Sequence, residues 1–461
     1  MSNFWDNSVW GFVCMSGTIL LSLLLANGLK RLIPFLQKSL IPTSVLAGLI
    51  LLLISSVYRR ITGTALFDTD FFGGNGVNML EIITYHALAL GFIASTFRSD
   101  NTSLGKERRR DILNTGTTTV ATYLLQAVSG LLITIIAAKL MKDFFVAAGL
   151  LLPFGYGQGT GQALNYGSIY EADYGFTGGR SFGLTIAACG FLSASIGGVI
   201  YLNVLKKRGI YRWSDEKGAL LRESQIQSED EIPMNGAIDK LTVQIALVLC
   251  AYFLAYLIML LLGTLIPSFR SVVYGFNFLF GVLGAILVKQ VMKLLKKTKL
   301  RKREYCNSFL MTRISNFWFD IMVVAGVAAI RIEVLQGYWW IILILAVTGL
   351  LVTFFYNRFI AKKLFPNYEN EQFLAMYGML TGTASTGVML LREVDPDFKT
   401  PTADNLVYQN FPAMILGFPI MLLATLAPKK PWLVLAIAAG LFVVMNIILF
   451  RNSIFRRKAK K

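Results

Sequence analysis

The sequence predicts an all-α polytopic membrane protein arranged as an inverted-topology repeat: two halves, each of five transmembrane helices plus one re-entrant glycine-rich hairpin, and an extra C-terminal transmembrane helix. Three observations predict it. Of 461 residues 55% are hydrophobic and only 15% charged, and charge-free runs near the ~20 residues that cross a bilayer recur along the whole chain. Two glycine-rich interruptions, Tyr156-Gly-Gln-Gly-Thr-Gly-Gln-Ala163 and Tyr377-Gly-Met-Leu-Thr-Gly-Thr-Ala384, share the pattern Y-G-x-x-T-G-x-A and lie close to half a chain apart. Glycine at this density leaves backbone groups unpaired, which lipid does not tolerate unless the segment is buried in protein or lines a wet cavity. Each interruption is therefore a candidate binding segment.

The formal charge of +18 comes from Lys and Arg clustered between apolar runs, without interleaved aromatics for base stacking. The clusters are topology signals rather than a nucleic-acid surface. Cys14, Cys189, Cys250 and Cys306 stand far apart with no C-x-x-C pair, which supports neither a disulfide framework nor a zinc site. The amino terminus has no basic n-region or small-residue cleavage site, so the first span is expected to remain as a membrane helix.

In chain order, spans are expected over 7–30, 41–58, 77–97, 112–138 and 181–205, with a hairpin at 144–167 between the last two. Pro153 and six glycines rule out one continuous helix across that hairpin. An outer amino terminus puts Lys30, Arg31 and Lys38 in the cytoplasm, and Lys106 to Arg110 with them. Lys206, Lys207 and Arg208 follow if the hairpin enters and leaves on the outer face. Residues 1–208 form the first repeat and the polar stretch 209–240 a cytoplasmic linker. The second repeat, 241–428, holds spans at 241–266, 271–288, 314–330, 339–357 and 406–427, with its hairpin at 372–391. The stretch 289–303 carries eight basic residues and no acidic one, and falls inside. Five crossings per half give the halves opposite orientations, so the hairpins enter from opposite faces. A last span, 431–450, brings the basic tail through 461 inside; Lys429 and Lys430 are the one pair left outside. The localisation expected is the plasma (cell inner) membrane, multi-pass, in contact with lipid.

Interrupted segments in matching positions of inverted halves point to a secondary transporter with its site where the copies meet. Gln158, Thr160, Gln162 and Asn165 add side-chain donors and acceptors to the first interruption, and Thr381, Thr383, Ser385 and Thr386 put four hydroxyls in seven residues of the second. Such oxygens suit a desolvated alkali cation, whereas helix amino termini favour a carboxylate. The competing explanations are glycines that only permit close packing and hydroxyls that bond back to their own helix. Arg392 either reaches a substrate carboxylate or snorkels to the interface. Asp320 is an intramembrane acid or an interfacial one. Glu81 and His86 share the third span, with a proton relay set against a structural histidine; Glu171 and Asp173 form an exposed rim.

At these residues the chain resembles the sodium:glutamate symporter family. Gly157-Gln-Gly-Thr-Gly-Gln-Ala163, Asp173-Tyr-Gly-Phe176 and Gly197-Gly198 are similar to its first glycine-rich loop, and Gly382-Thr-Ala-Ser-Thr386 to its G-A-T-P-T stretch. The chain departs from that pattern at Gln158, at Leu164-Asn165-Tyr166 and at Ser385. The resemblance implies sodium-coupled uptake of an acidic amino acid by an elevator movement of a transport domain against a usually dimeric scaffold. The expectation is a sodium-driven symporter for a small anionic solute, glutamate first among candidates. Sodium, the coupling ion, would be held by Thr160, Gly161, Thr381 and Thr383, and the substrate by Gln158, Gln162, Asn165, Ser385, Thr386 and Arg392. Rivals are a proton-coupled carrier of another carboxylate or amino acid, an uncoupled channel, and an intramembrane enzyme. The last is disfavoured because the chain has no H-E-x-x-H or G-x-S-x-G motif.

Overall fold

The computed structural model describes residues 3–97, 106–210, 239–267, 270–297, 306–395 and 399–451. They form helices and no strand. Those used below are α1 (Asn7–Leu32), α2 (Thr43–Thr62), α3 (Gly76–Phe97), α4 (Lys106–Leu140), α5 (Thr160–Tyr174), α6 (Gly179–Lys207), α7 (Lys240–Leu265), α8 (Asn277–Lys297), α9 (Ser308–Ala328), α10 (Trp339–Leu364), α11 (Glu369–Thr381), α12 (Ala384–Arg392), α13 (Thr402–Tyr408), α14 (Asn410–Leu426) and α15 (Pro431–Leu449).

Ten helices among the described residues are long and apolar enough to cross a membrane, or eleven if α13 and α14, bent by 50°, make one broken span. The protein is thus a multi-pass helical membrane protein, but two expected spans differ: 406–427 is the bent pair α13 and α14, and in place of 271–288 stands α8, which begins at Asn277 and carries its helix on through Lys289 to Lys297. Large apolar side chains lie exposed along many of them, as with Leu249, Phe253, Leu257 and Leu261 on α7. That pattern is stable only where the surroundings are themselves apolar. The linker 211–238 and the basic stretches 298–305 and 452–461 lie outside the described residues.

The chain divides into two compact units that do not follow chain order. One comprises residues 1–87, 103–200 and 320–461; the other comprises 88–102 and 201–319. A compact unit and a sequence repeat are different things, so this division and the expected halves need not coincide. The smaller unit packs Leu90, Ile93, Ala94, Phe97, Val248, Ala251, Ala285, Met311 and Ile314 into one core. Gly284 lets α8 approach the backbone of α7 at Ala251, and Lys289 Nζ donates to the Thr96 carbonyl at 3.0 Å.

Both glycine-rich interruptions belong to the larger unit and both are helical hairpins. In the first, a 3-10 turn (Val146–Leu150) and a π turn (Pro153–Gly157) lead to a break at Gln158 and Gly159, after which α5 returns. The Phe154 and Tyr166 rings stack across it at 3.9 Å. The returning arm runs to Tyr174 rather than ending at 167, because nothing in 168–174 breaks a helix before Gly175, whose φ of +71° caps it. In the second, α11 and α12 lie side by side: a Cβ on Gly378 would stand 2.9 Å from Gly387 Cα. Only glycine allows two helices that close.

Candidate functional site where the hairpin tips meet

The tips of the two hairpins touch. A Cβ placed on Gly159 would lie 3.7 Å from the Gly382 carbonyl oxygen, 3.7 Å from Thr383 Cγ2 and 4.0 Å from Met322 Cε. The residues that open the two motif copies also converge, since Tyr156 Oη is 2.9 Å from Ser193 Oγ and Tyr377 Oη donates to the Ser193 carbonyl at 2.7 Å. α6 thus holds both copies at one residue.

The copies break at different motif positions. In the first, Gly159 takes φ +81°, ψ −172°, a conformation essentially restricted to glycine. Its counterpart in the second copy is Leu380, which cannot adopt it, and the break moves to Gly382 and Thr383. Consequently Thr160 opens a returning helix, whereas Thr381 closes an entering one. Thr160, Gly161 and Gln162 lie in the first turn of α5, and Thr383 is the N-cap of α12, its Oγ1 3.4 Å from the Thr386 N–H. Those ends carry the positive pole of the helix dipole, while the carbonyls of Leu380 and Thr381 carry the negative pole.

The side chains follow the same division. Gln162 is fully buried, and its Nε2 has no acceptor among the described residues; its Oε1 takes a long contact from Asn165 Nδ2 at 3.4 Å. At the other pole stands Gln126 of α4, a residue outside both glycine-rich motifs. Its Nε2 donates to the Leu380 carbonyl at 3.1 Å and to Thr353 Oγ1 at 2.8 Å, and its Oε1 has no donor among the described residues. A Cβ on Gly157 would lie 3.3 Å from that Oε1. One helical turn away, Tyr123 Oη donates to the Gly157 carbonyl at 3.0 Å. A single Gln in the middle of the long helix α4 was the available signal: an amide in a membrane span needs partners.

Gln158 is half-buried at the first break, and Ser385 is exposed on the first turn of α12. The Thr160 hydroxyl donates to the Met322 carbonyl at 3.3 Å, and that of Thr381 bonds back to Tyr377 at 2.6 Å. A hydroxyl that donates its proton keeps its oxygen lone pairs, so neither bond removes these oxygens as ligands. Arg392 is exposed at the far end of α12, about 13 Å from the tip at 1.5 Å per residue. The structure does not bring it to the tips.

Of the other acidic candidates, Glu81 is buried and paired with Arg180, Nη1 to Oε2 at 2.6 Å. Half-buried Glu171 accepts the Arg180 N–H at 3.1 Å. His86 is exposed, edge-on to Tyr85. Asp320 is exposed too, beside Ser44. No group of three or more His, Cys, Asp or Glu side chains among the described residues is arranged to hold a metal ion. No protein-family model matches the chain, and no curated protein sequence matches it.

Proposed function

We propose that the protein is a sodium-coupled secondary transporter of a small anionic solute, an acidic amino acid such as glutamate being the first candidate. The observation that carries this reading is the meeting of two broken hairpins tip to tip, with helix ends of both signs at the contact. The first turns of α5 and α12 present backbone N–H groups and the Gln162 amide to a carboxylate. The ends of the entering arms present the Gly157, Leu380 and Thr381 carbonyls, with Gln126 Oε1, to a cation. This divides the expected ligands by helix polarity: Thr381 stays with sodium, while Thr160, Gly161 and Thr383 fall on the anion side with Gln162, Ser385 and Thr386. Asn165 orients Gln162, and Gln158 lines the break.

In this reading the matched hairpins are the inverted repeat, and the hairpin-bearing unit is the one that moves as an elevator in a dimer. Sodium neutralises the carbonyl end and lowers the cost of bringing the carboxylate into a low dielectric, so the fully loaded carrier moves and the half-loaded one does not. The test is uptake into proteoliposomes of a panel of amino acids and dicarboxylates, under an inward sodium gradient and separately under a pH gradient. Accumulation of one acidic solute driven by sodium alone is the expected result. Uptake indifferent to sodium for every solute, or driven only by the pH gradient, overturns the coupling.

A further inference from the structure

The last turns of α10 and α15 end together, and each ends in cations. Tyr356 Oη donates to Asn446 Oδ1 at 3.0 Å; the Tyr356 ring stands 5.5 Å from that of Phe442, and the Phe359 ring 5.9 Å from that of Phe450. Contacts that advance together along both segments make the two helices parallel. On α10, Phe355 and Phe359 are exposed at one side of the helix, and on α15 Val443, Val444 and Ile447 are exposed. In a membrane span such side chains lie against acyl chains. Lys362 and Lys363, both exposed, follow Phe359 by three and four residues and so stand at the end of its ridge. Arg451 stands at the end of the other, two residues past α15.

Arg451 is half-buried, and its guanidinium is held in place. Nη1 donates to the Ile448 carbonyl at 2.7 Å and to Asn114 Oδ1 of α4 at 3.1 Å, and Asn114 is itself buried. Those bonds use the two N–H groups of one nitrogen. The three on Nε and Nη2 have no acceptor among the described residues, and that edge of a guanidinium grips two oxygens of one phosphate or carboxylate. Counter-charge is missing as well. Asp111, three residues before Asn114, is taken by the Tyr368 hydroxyl at 2.6 Å and by Arg110 at 3.8 Å; Glu369 is paired with Arg358 at 2.8 Å and Asp404 with Arg108 at 2.5 Å. Among the described residues no carboxylate pairs with Arg451, Lys362 or Lys363. The sequence beyond Arg451 supplies none either, since residues 452–461 carry five basic side chains and no acidic one. A half-buried cation at the edge of hydrocarbon is costly without an anion, and anionic headgroups are what basic clusters beside membrane spans attract.

We propose that the ends of α10 and α15 bind an anionic phospholipid, its phosphate forked by Arg451 Nε and Nη2 and flanked by Lys362 and Lys363, its acyl chains along the exposed ridges of the two helices. Such binding is independent of what the hairpin tips carry. The test is thermal unfolding of the purified full chain in detergent micelles, with phosphatidylglycerol or phosphatidylcholine of identical acyl chains added at constant ionic strength. Phosphatidylglycerol should raise the unfolding temperature saturably, and phosphatidylcholine should not. Arg451→Gln should raise the half-saturating fraction of phosphatidylglycerol roughly tenfold, the loss of a hydrogen bond to a charged group. Lys362→Gln combined with Lys363→Gln should raise it in the same direction and carries the test if Arg451→Gln does not fold. Lys142→Gln, an exposed cation on the connection after α4, should leave it unchanged. An equal response to both lipids, an unchanged half-saturation in either folded variant, a rise shared by Lys142→Gln, or the same stabilisation by inorganic phosphate alone overturns the site.

Discussion

Gly159 has room for a methyl group, since its nearest neighbours stand 3.7 Å from a Cβ; what it lacks is an alternative to its backbone angles. Gly159→Ala should therefore cost about 1–3 kcal/mol of stability through backbone strain alone and reduce uptake, while filling no contact; thermal unfolding and initial uptake rates measure the two effects. At Gln162 the expected defect is different. Gln162→Met keeps the volume and removes the buried donor, so the KM for the anionic solute should rise roughly tenfold, the loss of a hydrogen bond to a charged group, with the sodium dependence of the maximal rate retained. An unchanged KM would take Gln162 out of the anion contact. The Glu81–Arg180 pair is more structural. Glu81 is 7% exposed, and Arg180→Ala would leave its carboxylate buried and unpaired at a cost of about 3 kcal/mol or more.

Three tyrosines on one face of α5 fasten the first hairpin to the end of α14. Tyr166, Tyr170 and Tyr174 donate to the carbonyls of Met421, Ala424 and Thr425 at 3.0, 2.8 and 2.9 Å. The last two acceptors lie in the final turn, where carbonyls have no helical partner. Tyr170→Phe should cost about 1 kcal/mol in a thermal-unfolding series and leave the solute KM alone. After the second hairpin, Asp395 accepts from the Thr400 hydroxyl at 2.6 Å and from the N–H groups of Thr400 and Lys399 at 2.8 Å. Burial would push its carboxyl up, but these bonds outweigh that and hold it below the usual range. A carboxyl lowered on folding stabilises above its unfolded pKa of about 3.9 and loses that contribution as pH falls through the folded value. Asp395→Asn should thus flatten the acid limb of an unfolding-versus-pH curve below about pH 4, and an unaltered limb would contradict the assignment. The hairpins themselves were legible as elements because glycine and proline punctuate apolar runs at 153–161 and 378–387. The extent of α5 was not, since its last residues are polar and mimic a loop.

For the molecule as a whole, the distribution of Lys and Arg predicts which face each connection meets. In a background with the four native cysteines replaced, an impermeant maleimide added to intact cells should label Lys142→Cys and spare Lys207→Cys; both positions are exposed. The reverse pattern would invert the topology and exchange the faces from which the hairpins enter. Most spans, their order and the two glycine-rich breaks follow from hydropathy, charge and glycine content alone, because the cost of exposing polar backbone to lipid acts locally; the bend between α13 and α14 and the start of α8 at Asn277 did not. The site residues at the tips followed only in part. Thr160 and Thr381 are equivalent in sequence, yet they lie at opposite poles of their helices because the break falls at Gly159 in one copy and at Gly382 in the other. Gln126 carried no local motif at all. Its significance arises when packing seats its amide against an acceptor and leaves its oxygen without a donor among the described residues, a property of pairs distant in sequence that only the folded chain brings together.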